Sequence, residues 1–157
     1  MPHRIRPERK QMAPRNPDWE AVVRASFARQ GIMGLIGAEL CALSPGRCEI
    51  RLPFRPDLTQ QHGYFHAGVT STIVDSAGGY AGLTLMPAGA EVLTVEFKLN
   101  LLAPADGELL AAEGEVLKSG RNLVITRGEV YAIRDGRATH CATMQQTLMT
   151  MHPKEGK

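Results

Sequence analysis

The sequence is short of the features that mark several protein classes. Its longest apolar runs fall far below the ~20 residues needed to cross a bilayer, so no membrane-spanning helix is expected. The formal net charge is only +2, too small an excess to argue for binding to nucleic acid or to a membrane. No apolar core follows the basic start, so a secretory signal is not expected. Cysteine is scarce: Cys41, Cys48 and Cys141 are odd in number and lack metal-ligand spacing. Neither His-rich spacing nor a Ser-His-Asp arrangement appears, so neither a metal nor that kind of triad is expected. There is no internal repeat and no low-complexity core segment. Cys48 and Cys141 occupy apolar positions of strand-like segments, as small reduced core thiols do in a cytoplasmic protein.

What is present suits one ordinary globular domain. The chain has 157 residues, 43% hydrophobic and 22% charged, enough to bury a core. Much of its positive charge lies in Arg4, Arg6, Arg9, Lys10 and Arg15, interleaved with Pro2, Pro7 and Pro14. Such a stretch buries too little apolar surface to offset its ordering entropy, so residues 1–15 read as a flexible basic tail. Residues 16–150 read as a single domain.

Asn16-Pro17-Asp18 is a helix start, and Trp19, Val23 and Phe27 at a stride of four give it one apolar stripe that Gly31 ends. Leu35 to Leu43, a Ser44-Pro45-Gly46 turn, and the alternating Cys48, Ile50, Leu52 and Phe54 read as a hairpin. After an irregular polar stretch, Ala67 to about Leu85 is the longest helix, rich in small residues and therefore suited to close wrapping by a sheet. Four strand-like segments follow. In the first, Leu93, Val95, Phe97, Leu99 and Leu101 form an apolar face, with Thr94 on the polar one. The others run Glu108–Leu117, Leu123–Ile133 and Ala138–Leu148, the last two joined by Asp135-Gly136, a strong hairpin signal. Strand runs around one long helix predict an α+β fold with an antiparallel sheet. One helix cannot cover both faces of that sheet, so the other face is either solvated or covered by a second subunit.

The informative stretch is QQHGYFHAGVTSTIVD, residues 60–75. Glycines and an alanine surround a helix start whose N–H groups have no intrahelical partners, a setting for an anion or a developing oxyanion. Asp75 falls mid-helix after Ile73-Val74, where a buried carboxylate is costly unless paired, with Ser71 and Thr72 one turn earlier as candidate hydroxyl donors. On the residues alone, it is either a solvated helix acid or a functional group. Gly68 and Asp75 are two helical turns apart, roughly 10 Å, too far for one carboxylate to act on a carbonyl held by its own helix N-terminus. Two subunits with antiparallel long helices would bring the one beside the other. His62 reads as a loop residue, and His140, on the parity of Ala142 and Met144, as a satisfied sheet histidine.

His66-Ala67-Gly68 with Asp75 nine positions after His66 resembles the HGG…D signature of the PaaI-type branch of hotdog acyl-CoA thioesterases, Ala67 replacing the first glycine. The longer string QQHGYFHAGVTSTIVDSA looks closest to the YigI-like medium- and long-chain enzymes. The resemblance runs from about Leu35 to Leu148. It implies an antiparallel sheet wrapped around one long central helix, paired as a double-hotdog homodimer or a dimer of dimers. It implies Asp75 as general base or nucleophile, the Ala67 and Gly68 amides as donors to the thioester carbonyl, and His66 as support for their loop. Gln60 and Thr94 match residues that hold the attacking water. Lys118, Gly120, Arg121 and Asn122 match a K-x-G-R turn near the phosphates or pantetheine arm of coenzyme A. Coenzyme A is then part of the substrate, and no separate cofactor is expected. Two other readings stay open: a hydratase or dehydratase acting on acyl thioesters, and a non-catalytic acyl-CoA-binding module.

Overall fold

The computed structural model describes residues 12–153; the segment 1–11 and the last four residues lie outside the described part. Most of the expected basic tail is therefore outside it. Arg15, at its end, donates from Nε to Leu85 O at 2.8 Å, and Met12 packs against the core.

The first helix, α1, spans Trp19–Arg29, later than the sequence suggested. Asn16 is spent on a turn instead, its Oδ1 accepting from Asp18 N at 3.0 Å. Val23 of the predicted stripe is fully buried. Gly31 does not end the chain's helical run. It opens a second short helix, α2, Gly31–Ile36, which stops at Gly37 with φ +78°. Leu35 is thus helical, and the first strand begins four residues later than expected.

The strands are β1 Glu39–Ser44, β2 Arg47–Pro53, β3 Glu91–Leu101, β4 Leu109–Ser119, β5 Leu123–Arg134 and β6 Arg137–Met151. They form one antiparallel sheet in the order β1-β2-β4-β5-β6-β3. Asp135 and Gly136 both take positive φ (49° and 72°), the two-residue turn whose twist suits a hairpin. The long helix, α3, Ala67–Leu83, packs along β2, β4, β5 and β3. Close approach is set by missing side chains: a Cβ on Gly114 would lie 2.3 Å from Ala77 O. Between them lies the core, with Ile50, Leu52, Ile73, Val74, Leu110 and Leu148 fully buried.

The outer face of β2, β4 and β5 is charged and internally paired. Arg47 and Arg127 both hold Glu115, at 2.8 and 2.9 Å. Among the described residues no helix is long and apolar enough to cross a membrane. Edge strand β3 leaves a run of apolar side chains uncovered, Leu93, Val95, Phe97 and Leu101 being 46–57% exposed. Cys48 and Cys141 are buried, whereas Cys41 on β1 is exposed and is not a core thiol. Burial pushes the Cys48 thiol up to about 12.

Two bulges change which face residues occupy. In β3 the register slips between Thr94 and Glu96. Thr94 stands opposite inward-facing Leu148, and Phe97 opposite inward-facing Gln146, so both face α3. The expected alternation, with Thr94 on the polar face, does not hold, because one extra residue reverses the strand's parity. A second slip, at Cys141 in β6, puts His140 opposite Tyr131 on the outer face rather than with Ala142. There His140 Nε2 lies 2.7 Å from Glu129 Oε2 and its ring stacks on Tyr131.

Candidate active site

Asp75 lies halfway along α3, partly buried, and its carboxylate is gripped from the sheet. Thr94 Oγ1 on β3 donates to Asp75 Oδ1 at 2.8 Å. Gln146 on β6 donates from Nε2 to the same Oδ1, and lies 3.2 Å from the Asp75 carbonyl. Gln146 is 1% exposed, and its own Oε1 accepts from buried Thr126 Oγ1 at 2.8 Å. Three strands thus supply one chain of hydrogen bonds ending on a carboxylate, which offsets the cost of taking that charge out of water. Oδ2 has no partner among the described residues. Ser71 and Thr72 do not serve Asp75: both hydroxyls donate back to Gly68 O, at 2.8 and 2.7 Å. Side chains three and four residues on from a helix carbonyl reach back to it more easily than they reach forward along the helix.

Gln146 is the residue that motif reading missed. Its signal was an amide between Met144 and Leu148 on the inward parity of β6, where an apolar residue is the rule. Gly78 makes its place, since a Cβ there would fall 2.1 Å from Gln146 Oε1.

The N-terminus of α3 is built differently. His66 is its N-cap, and Nδ1 accepts from Gly68 N at 2.8 Å, which puts the proton of the neutral ring on Nε2. The Gly68 N–H is therefore taken within the chain. Ala67 N–H, at the first helical position, has no acceptor among the described residues. The preceding loop is pinned by Phe65 N to Ala105 O at 3.0 Å and His66 N to Leu58 O at 2.9 Å. Gln60 does not reach Asp75. Its Oε1 accepts from His62 N inside its own turn, while its N donates to Tyr64 O at 2.9 Å.

Two separate recesses result. Gln60 and Ala67 line one of about 450 Å³. Asp75 and Thr94 line another of about 470 Å³, which continues past Ser76 and Gly79 to Gln30 and Tyr80. One chain therefore brings Asp75 together with Thr94, and Ala67 with Gln60, but not the two pairs with each other.

The turn Gly120-Arg121-Asn122 joins β4 to β5, with Lys118 just before it. Gly120 N donates to Leu123 O at 2.8 Å, and a Cβ on Gly120 would sit 2.6 Å from that oxygen. His152 Nε2 braces the turn at 3.2 Å from Arg121 O and 3.3 Å from Asn122 Oδ1. Asn122 O accepts from Thr150 N at 2.8 Å, and Thr150 pairs with Val92. The turn thus lies at the Thr94 end of the sheet, two strands across and two residues along, on the order of 12 Å away. The Lys118 and Arg121 side chains are exposed and have no partner among the described residues.

The family model of the thioesterase superfamily matches residues 62–139. A crystal structure of a thioesterase family protein from Silicibacter pomeroyi is 50% identical, superposes with a TM-score of 0.85, and covers 86% of this chain and 99% of its own. Acyl-coenzyme A thioesterase 13 of Homo sapiens is 30% identical over 107 residues, 67% of this chain and 76% of that one. The PaaI protein of E. coli, from the phenylacetic acid degradation operon, shares the fold with a TM-score of 0.75 at 14% identity, over 87% of this chain and 96% of its own.

Proposed function

The chain belongs to the thioesterase superfamily and has its hotdog fold, and on that premise we propose that it hydrolyses acyl-CoA thioesters to a free acid and coenzyme A. The observation that carries this reading is the carboxylate of Asp75. It is fixed through Oδ1 by Thr94 and Gln146 at the wall of an open recess, and its Oδ2 is left for a water molecule.

The two recesses of one chain make a complete site when two chains pair about a two-fold axis with their α3 helices antiparallel. The exposed apolar residues of edge strand β3 support that pairing, as a homodimer or a dimer of dimers. The thioester carbonyl then accepts from Ala67 N–H of one subunit, the Gly68 N–H being held by His66. Asp75 of the other subunit takes a proton from water as the water oxygen bonds to the carbonyl carbon. Collapse of the tetrahedral intermediate breaks the C–S bond, and the departing thiolate takes up the proton. An Asp75 that attacks directly, through an anhydride, uses the same geometry. Thr94 orients the carboxylate, and Gln60 lines the carbonyl side. Lys118 and Arg121, at the Thr94 end of the sheet, suit the phosphates of coenzyme A, with Gly120 and Asn122 shaping their turn. The likeness of QQHGYFHAGVTSTIVDSA to medium- and long-chain enzymes favours a fatty acyl group of that length.

The test is release of free thiol from a panel of acyl-CoAs by the wild type and Asp75→Asn. Removing a general base costs ~10²–10⁴ in rate, and the amide keeps the hydrogen-bond shape, so the variant is expected to fold and to lose turnover on that scale. Near-normal turnover by folded Asp75→Asn removes Asp75 from the chemistry. A 2-enoyl thioester formed without thiol release replaces hydrolysis by hydratase chemistry.

A further inference from the structure

The recess that holds Asp75 is lined by polar as well as apolar side chains. Beyond the carboxylate, Gly79 on α3 faces open space, with nothing within 4 Å of where its Cβ would be. Past that gap stands a polar cluster contributed by α1, its C-cap and α3. Gln30 Oε1 accepts from Ser76 Oγ at 3.3 Å and from Tyr80 Oη at 3.4 Å. Ser76 and Tyr80 are 7% and 5% exposed. Burial pushes the Tyr80 phenol up from its ordinary value, against a hydrogen bond with Ser26. Gln30 Nε2 donates to nothing among the described residues.

Both hydroxyl hydrogens are spent on Gln30 Oε1, so what the cluster offers a ligand is the Gln30 NH₂. A plain alkyl chain lying there leaves that donor unsatisfied and partly desolvated. Charge does not select strongly, since Arg29 and Glu91 line the same recess with opposite signs. Gln30 accepts from Ser76, the residue next to Asp75, and lines the recess together with it, so the amide and the carboxylate share one space.

Resting on the thioesterase reading above, we infer that this recess receives the acyl group and selects one with a neutral oxygen, hydroxyl or carbonyl, several carbons beyond the thioester, bound by Gln30. Gly79 leaves the passage and Gln30 reads its far end.

The experiment uses matched acyl-CoAs, hexanoyl and 6-hydroxyhexanoyl, with the full-length wild type, Gln30→Leu and Gly79→Leu. The wild type is expected to prefer the hydroxylated thioester by about three- to tenfold in kcat/KM, as one net hydrogen bond provides. Gln30→Leu is expected to erase or invert that preference. Gly79→Leu is expected to lose both six-carbon substrates. No preference in the wild type, or one that survives Gln30→Leu, overturns the inference. Calorimetry with the non-hydrolysable thioethers S-hexyl-CoA and S-(6-hydroxyhexyl)-CoA reads the recess without turnover. If no thiol is released but the hydroxylated thioether binds more tightly, and only with Gln30 in place, the recess assignment stands and hydrolysis falls. Equal binding of the two thioethers overturns the assignment.

Discussion

The two halves of the proposed site lie on the same helix and are built from different materials. At the N-terminus of α3 the working group is a backbone N–H, at Ala67, held by a loop that main-chain bonds pin at Phe65 and His66. At Asp75, two turns further on, the working group is a side chain held by other side chains, Thr94 and Gln146, with Thr126 behind them. A backbone donor tolerates a change of residue, because the N–H persists whatever the side chain. That is why Ala67 can stand where the resembled signature has glycine. A side-chain network tolerates little, because each member satisfies the next in a buried setting.

The largest effect that sharpens this contrast is expected from Gln146→Leu. It strands Thr126 Oγ1 and removes a donor from Asp75. A loss of ~1–3 kcal/mol in stability is expected by chemical denaturation, with thiol release down tenfold or more. Unchanged stability and turnover would show that Asp75 does not depend on the sheet.

Two adjacent glycines give the next test. Gly78→Ala drives a Cβ to 2.1 Å from Gln146 Oε1 and is expected to destabilise, by roughly 1–3 kcal/mol for an overpacked core. Gly79→Ala meets nothing within 4 Å and sits mid-helix, so a gain of up to ~1 kcal/mol is expected. Thermal melts of the pair read the difference, and equal shifts in the same direction would contradict the packing described. The smallest effect is expected at the other half. Ala67→Gly keeps the backbone donor, and kcat is expected to stay within about twofold of wild type. A tenfold change would mean that the alanine methyl itself shapes the carbonyl site.

How far each half could be read in advance follows from the same contrast. The helix start announced itself locally, since His66-Ala67-Gly68 is contiguous and the free N–H groups follow from helix geometry alone. Asp75 stood out as an acid in an apolar helix, and the family resemblance put Thr94 near its water, but nothing pointed to Gln146. Ser71 and Thr72 were the near neighbours, whereas Thr94 and Gln146, 19 and 71 residues away, made the bonds. Thr94 was assigned to the outer face by simple alternation, and only the bulge at Val95 turned it inward. His140 was misplaced for the same reason by the bulge at Cys141.

By itself the sequence determined the order of elements, the antiparallel α+β architecture, the Asp135-Gly136 hairpin and the start of the long helix at Ala67. All of these follow from patterns within a few residues: hydrophobic period, turn chemistry and capping. The boundary near Gly31 is the exception, because a glycine that can end one helix can equally begin another when the next turn, Met33 and Ile36, has a core to enter. Only the tertiary structure decided which strand residues face α3, which amide holds Asp75 beside Thr94, and that Gln30 lines the recess beside it. Each of those depends on register between distant strands or on packing between helices. A one-residue slip costs little locally yet exchanges the two faces of a strand.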